Sequence, residues 1–310
     1  TLYPRFFSKL EVFSTPDISS RLLAKINAQS LVRVDSWVSG VSQTIPSYQS
    51  FKSSSTIKQV ISKARSQLDI NSIVSLLEAE GGDFNYIVDH ANELNKELNG
   101  NIVSCVVNRN INYTNICSYK CNFCAFSKGT GHADLRGKPY NISHDEIIRR
   151  TEEAISRGAT EVCMQGGIHP AYTGQTYIDI VKAVRSVSDT IHIHAFSPLE
   201  IDHGRKTLNI STQEFLSELK LVGLNSLPGT AAEILHDDIR AIICPDKLNS
   251  QEWIDIIKAA HSVGLPTTST MMFGHVENMQ HVAQHLVSLQ NIQLETGGIT
   301  EFVPLPFVAE

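Results

Sequence analysis

The chain has no apolar run near the ~20 residues a helix needs to cross a bilayer, so a transmembrane helix is excluded. It has no basic excess. Its 26 Lys and Arg against 32 Asp and Glu give a net charge of -6. The electrostatic footprint of a nucleic-acid binder is missing. Six cysteines in 310 residues are too few for a disulfide scaffold. No signal peptide opens the chain, so the expected compartment is the cytoplasm or an organelle stroma. The chain starts at Thr1 rather than Met and stops just after an apolar run at 302–308. It therefore reads as a piece of a longer protein. What is present is a 42% hydrophobic, 19% charged composition, enough to bury a substantial core.

Residues 1–35 carry apolar patches and one helical stretch, 18–28. Between 36 and 66 there are ten serines in 31 residues, with Gly40 and Pro46 among them. That polar, turn-rich composition predicts a mobile linker over 36–56, the competing reading being a long surface loop of the same domain. Helical periodicity follows at 57–68, 73–79 and 84–98, so 57–100 reads as an N-terminal helical extension. From 101 to 310 strands and helices alternate. Strands are expected at 102–107, 161–164, 191–196, 224–227, 267–273 and 299–303. Helices are expected at 143–157, 177–187, from Ser211, from Asn249 to Gly264, and at 277–289. Three of them open on capping boxes: Ser143-x-x-Glu146, Ser211-x-x-Glu214 and Asn249-x-x-Glu252. This order implies a parallel sheet flanked by helices. No G-x-G-x-x-G follows the first strand, which weakens a dinucleotide-binding sheet. The expected fold is α/β, a six-stranded (β/α)6 partial barrel, with its chemistry in the loops after the strands.

Cys117, Cys121 and Cys124 form C-x3-C-x2-C in the first such loop. Three thiolates on one short loop suit three irons of a [4Fe-4S] cluster and leave the fourth iron open. Structural zinc wants four closed ligands, and His132 is the available fourth, so zinc is the competing reading. Cys105, Cys163 and Cys244 read as inert thiols. Other strand-end groups are candidates. Gln165-Gly166-Gly167 follows the second strand. His194 and Ser197 end the third. Glu233 follows the fourth and is expected in the first turn of a helix. His169, His192 and His275 read mainly as packing or hydrogen-bonding residues. Glu301 is a carboxylate in an apolar strand, costly to bury unless it faces a polar pocket.

The cysteine spacing, with Phe123 before the last cysteine, resembles the radical S-adenosylmethionine (SAM) enzymes. Further stretches narrow the resemblance: 107–114, 124–129, 135–137, 164–170, 194–200, 227–235 and 300–308. Together they resemble the CofH-type half of the FO synthase family, over roughly 84–308. FO is the deazaflavin chromophore of coenzyme F420. Residues 1–35 look like the tail of a preceding CofG-type module.

The resemblance implies a [4Fe-4S] cluster on the three cysteines, and SAM held by Phe123, Gln165, Gly166, Gly167, Ser197 and Glu233. It implies a deoxyadenosyl radical that acts on L-tyrosine, whose hydroxybenzyl unit joins 5-amino-6-(D-ribitylamino)uracil. Substrate contacts fall to His169, His194 and Glu301. The implied partners are a CofG-like module in the same chain and an electron donor, with no nucleic acid and no membrane. The barrel is truncated after its sixth strand relative to the family. Two rivals stay open: a futalosine-pathway radical SAM enzyme of menaquinone synthesis, and a non-catalytic iron-sulfur or zinc module.

Overall fold

The computed structural model describes residues 53–63, 67–119, 121, 123–124 and 138–307. They fall within one compact unit, Phe51–Glu310. The expected 18–28 helix, nearly all of the 36–56 linker, His132 and the 135–137 stretch lie outside the described residues.

Among the described residues, three helices precede the sheet. The helix α1 (Ser55–Ser62) starts where the Ser54 side chain accepts from the Ile57 N–H, and α2 (Ile70–Leu77) starts on Asp69 in the same way. Such caps satisfy backbone donors that a helix start otherwise leaves orphaned. The third helix, α3 (Gly81–Asn99), ends at Gly100 with φ +63°. A reciprocal amide pair ties the segment before α2 to the far end of the chain. The Leu68 N–H donates to Gln290 Oε1, and Gln290 Nε2 donates to the Leu68 carbonyl, both at 3.0 Å.

The first strand, β1, runs Asn108–Asn112 rather than 102–107. The β-branched run 102–107 lies outside any strand, with Val103 91% exposed. Propensity lost here to pairing. Asn108–Asn112 registers in parallel with β2 (Glu161–Gln165), which buries Ile111 alongside Val162 and Met164. That register carries Tyr113 and the cysteine loop onto the C-terminal rim.

From there the order follows the expected alternation. Helix α4 (His144–Ser156) precedes β2. Then come α5 (Gly174–Arg185), β3 (His192–Ala195), α6 (Pro198–Leu208) and α7 (Thr212–Leu221). The short α8 (Asp237–Ile243) is followed by α9 (Ser250–Ser262), β4 (Thr267–Phe273), α10 (Met279–Thr296) and β5 (Ile299–Pro306). The ladders β1-β2-β3 and β4-β5 are parallel. Two parallel bridges, His194↔Ser226 and Leu227↔Thr267, join them. Residues 226–227 thus hold the fourth strand position as bridges alone, and six positions follow one another in chain order.

All three expected capping boxes start helices, although Ser143 has only its own half of the box. Helix α6 was not expected; it has a capping box of its own, Ser197-x-x-Glu200, with Pro198 at its first position. Helix α8 starts at Asp237, beyond the start expected at Glu233. Helix α10 runs past 289 to Gly297, whose φ of +65° ends it. Its last seven residues are mostly polar, so the apolar stripe fades before the helix does. One face of β1 to β3 packs Ile111, Val162, Met164, Ile193 and Ala195 against the helices. The other face turns inward, and its C-terminal rim carries the site.

Candidate active site

A laced neck emits the cysteine loop. The Thr114 hydroxyl donates to the Tyr140 carbonyl at 2.8 Å, Asn115 Oδ1 accepts from the Tyr140 N–H at 2.8 Å, and the Ile142 N–H donates to the Tyr113 carbonyl at 3.0 Å. The loop ends are thus fixed to the rim of β1 whatever the residues between them do.

Beyond the neck lies a cavity of about 300 Å³, at the small end of small-molecule sites. Its walls include Cys117, Cys121 and Cys124, with Gln165, Gly166, Gly167, Ser197 and Glu233. Those eight are the three cysteines and five of the six residues assigned to SAM. The sixth, Phe123, is not in the wall. It packs with Cys121 against a cluster that includes Ile234 and Met271, and the Lys247 ammonium lies 5.2 Å from its ring centroid.

The two glycines are required by the cysteine loop itself. A Cβ on Gly167 would lie 2.3 Å from the Ile116 carbonyl oxygen and 2.9 Å from the Cys117 Cβ. A Cβ on Gly166 would lie 2.3 Å from the Tyr113 ring. Their bareness lets the second loop press against the first. The contact is then sealed: the Gly167 N–H donates to the Thr114 carbonyl at 2.9 Å, the Ser118 N–H to the Ile168 carbonyl at 2.9 Å, and the Ile168 N–H to Cys117 Sγ at 3.3 Å.

Two buried carboxylates line the cavity. Glu200 takes four donors. Oε1 accepts from the Tyr113 hydroxyl and from the Gly166 N–H at 3.1 Å; Oε2 accepts from the Ser197 N–H at 2.7 Å and the Ser197 hydroxyl at 2.6 Å. Burial still pushes its carboxyl above the usual range, despite these donors.

Glu233 is different. It lies in a loop before α8, not in a helix as expected, and its φ is +45°. Ala231 beside it has φ +62°. Left-handed backbone at non-glycine residues costs about 1–3 kcal/mol each and persists only where the surroundings impose it. Here Arg240, itself 3% exposed, grips the carbonyls of Ala231, Ala232 and Leu248, and the Glu233 carbonyl accepts from the Met272 N–H at 2.8 Å. Lys247 Nζ lies 2.6 Å from Glu233 Oε1. Burial is the largest single effect and pushes Glu233 up, but the Lys247 charge and hydrogen bond, with the Arg240 charge, together outweigh it and hold the carboxyl below its ordinary value. Burial likewise raises the Cys121 thiol, to about 12, against a smaller opposing effect of Lys247.

The three groups assigned to substrate stand apart from the cavity wall. His169 stacks on Tyr172 with centroids 4.8 Å apart, and its Nδ1 accepts from the Ala171 N–H at 3.1 Å. His194 faces the inside of the sheet below the cavity. Glu301 is exposed on β5. Of the remaining thiols, Cys244 is buried, Cys163 half-buried and Cys105 exposed. His275 pairs with Glu277 at 2.9 Å. Reading by motif missed Glu200, Lys247 and Tyr113. A signal existed for Glu200, because Ser197-x-x-Glu200 is a capping box. Nothing local marks Lys247.

The residues present fit an iron-sulfur cluster. Three sulfurs border one cavity, an N–H is aimed at one of them, and the bare backbone of Gly167 receives their loop. Among the described residues no three His, Cys, Asp or Glu are grouped around a single ion. A four-iron cube takes one thiolate per iron and needs no such convergence.

A partial barrel with three cysteines, a diglycine loop and a carboxylate on one rim defines a class, and comparison agrees. The radical SAM superfamily model matches residues 111–289, and the chain belongs to that superfamily. HydG, a maturase of the [FeFe]-hydrogenase, shares the fold with a TM-score of 0.63 at 15% identity, over 82% of this chain and 54% of that one. The chain is 50% identical over 220 residues to the 5-amino-6-(D-ribitylamino)uracil–L-tyrosine 4-hydroxyphenyl transferase of Archaeoglobus fulgidus, covering 71% of this chain and 62% of that protein. The Methanothermobacter thermautotrophicus protein of the same name is 40% identical over 81% of this chain and 68% of its own length, which places both in one family. The FO synthase of Mycobacterium leprae is 46% identical over 76% of this chain but only 27% of its own length. The chain thus spans about three fifths of the first relatives it matches. No described helix is long and apolar enough to cross a membrane.

Proposed function

We propose that this chain is a CofH-type radical SAM transferase, cleaving L-tyrosine and transferring its 4-hydroxybenzyl group to 5-amino-6-(D-ribitylamino)uracil in FO biosynthesis. The observation that carries the reading is the cavity where Cys117, Cys121 and Cys124 meet Gly166, Gly167 and Glu233, in a chain similar to transferases of that name. Cys117, Cys121 and Cys124 would hold a [4Fe-4S] cluster. Gln165, Gly166, Gly167, Ser197 and Glu233 would border SAM, with Phe123 packed behind the cysteine loop. When bound, cluster and SAM supply the reducing electron and the hydrogen-abstracting radical.

The chain's own residues do the rest. The laced neck and the Glu200 hub fix the two loops before any ligand arrives. Glu233, held ionised by Lys247, offers a fixed acceptor for an ammonium or hydroxyl group. The polar inner face below, with His194 and Glu301, is where tyrosine and the uracil would lie. His169 would act from the rim.

A CofG-like module in the same polypeptide fits the long FO synthase relatives, with 1–35 as that module's tail and 36–56 as the linker. A separate electron donor and a cytoplasmic or stromal compartment complete the proposal. Anaerobic incubation of the reconstituted protein with SAM, tyrosine and the diaminouracil, read by mass spectrometry, is the test. Replacing any one of the three cysteines by Ala should abolish 5'-deoxyadenosine and cut bound iron. Turnover of an aminofutalosine-type substrate, with tyrosine and the diaminouracil ignored, overturns the reading in favour of menaquinone synthesis.

A further inference from the structure

Below the cavity the inner face of the sheet carries a hydrogen-bonded group the proposed chemistry has not used. Strand alternation turns Val162, Met164, Ile193 and Ala195 toward the helices, and so turns Cys163, Gln165, His192 and His194 inward. Gln165 lines the cavity. His194 pairs in register with Cys163, one inward layer further down, roughly 7 Å along the strands.

Ser226 stands beside it across the parallel bridge and is 7% exposed. The Ser226 hydroxyl oxygen lies 2.7 Å from His194 Nδ1 and 2.7 Å from His192 Nε2. A hydroxyl has one proton, so it donates to one ring and accepts from the other. Burial, reinforced by the neighbouring ring, lowers His194 to about 4, and burial with Arg185 lowers His192. Both rings are therefore neutral near pH 7, each with one N–H. Only two proton arrangements satisfy the triad.

Glu161 selects between them. Its Oε2 is 3.9 Å from His192 Nε2, and a carboxylate there favours a proton on that nitrogen. A second carboxylate, Glu301, acts on Glu161, and its charge adds to burial in raising the Glu161 carboxyl. With its proton on Nε2, His192 donates to Ser226, and Ser226 donates to His194 Nδ1. His194 then carries its own proton on Nε2. No described residue accepts from that nitrogen.

We propose that Glu161, His192 and Ser226 fix His194 as an Nε2–H donor facing the inside of the barrel, where it binds an acceptor oxygen of the substrate. That oxygen is a pyrimidine carbonyl or a polyol hydroxyl, and the assignment rests on the proposed function. Glu161, His192 and Ser226 are positioning residues, and His194 makes the contact.

The test has two arms on the reconstituted chain. Nitrogen-15 NMR of the histidines reads the tautomer without substrate: His194 should be protonated at Nε2, and Ser226→Ala should lose that preference while Ser226→Thr keeps it. Kinetics with the diaminouracil supply the second arm. His194→Leu should raise its KM on the order of 10-fold with SAM affinity unchanged, and His194→Gln, which keeps a donor near that position, should restore most of it. A diaminouracil lacking the ribityl chain separates the sources. A penalty that persists with it marks the carbonyl, and one that vanishes marks the polyol. A His194 protonated at Nδ1, or a KM indifferent to His194→Leu with both compounds, overturns the inference. A correct tautomer in a protein that does not bind the uracil at all overturns the functional reading and the substrate contact with it.

Discussion

Glu200, in the first turn of α6, and Glu233, in the loop before α8, reach the same cavity, both buried, and the chain handles their charge in opposite ways. Glu200 is surrounded by neutral donors from β1's end, the diglycine loop and the start of α6. Burial prevails and its carboxyl rises. Glu233 has one ammonium partner, and its carboxyl falls. Dipoles fix geometry without adding net charge, so Glu200 acts as a joint between three pieces of chain. A lysine adds a charge that reaches further, and Lys247 also faces Phe123 and Cys121. The Glu233 side is therefore where charge on a bound cluster or ligand would be felt; the Glu200 side is set beforehand.

The sharpest way to break the contrast is Lys247→Met. It leaves Glu233 buried without its cation, and such half-removed pairs cost about 3–5 kcal/mol. Chemical denaturation should show that loss, and Glu233→Gln added to it should recover most of the stability. Recovery of none would mean that the lysine stem's packing matters more than the pair. Glu200→Ala comes next. It orphans the Tyr113, Gly166 and Ser197 donors, at about 1–3 kcal/mol for each left unsatisfied, less where water enters. It should also lower iron loading, because the Gly166 loop loses its anchor.

Gly167→Ala tests whether the glycine serves the cysteine loop. Its Cβ meets backbone, which cannot rotate away, so about 1–3 kcal/mol and reduced iron per chain are expected. Normal iron binding with only SAM affinity lost would refute that role. Ser197→Ala removes one cap and one of Glu200's four donors, for about 1 kcal/mol in thermal unfolding.

The smallest effect is in pH. Glu233 is depressed, so its stability is present above the unfolded carboxylate value and lost as pH falls through the folded one. Glu200 is raised, so its contribution is fullest below the unfolded value and declines as pH rises through the folded one. Comparing Glu200→Gln and Glu233→Gln with the parent chain, stability between pH 3 and 7 should change slope in opposite senses.

Much of this was legible in the chain. The capping boxes at Ser143, Ser211 and Asn249 gave helix starts because a cap is a local event, settled within four residues. The cysteine spacing and the diglycine turn were legible for the same reason. The run 102–107 misled because β-branched composition reports only what suits a pleated surface, and pairing chose the asparagine-rich segment after it. Glu233 was misplaced because acidic residues often open helices. Here a strained loop, held by Arg240, carries it instead.

The alternation of elements, most of the helix starts, the three sulfurs on one loop and the family to which the chain belongs are written in the order of residues. Each rests on spacing of a few residues, or on matched stretches that survive in linear order. Which carboxylate is shared by Tyr113 and Gly166, which lysine neutralises Glu233, and that one hydroxyl serves two histidines come from folding alone. Tyr113 and Glu200 are 87 residues apart, and His192 and Ser226 are 34 apart. Contacts at such separations have no period in the sequence. They arise when parallel register brings strand ends together and burial leaves each polar group only the partners packed against it.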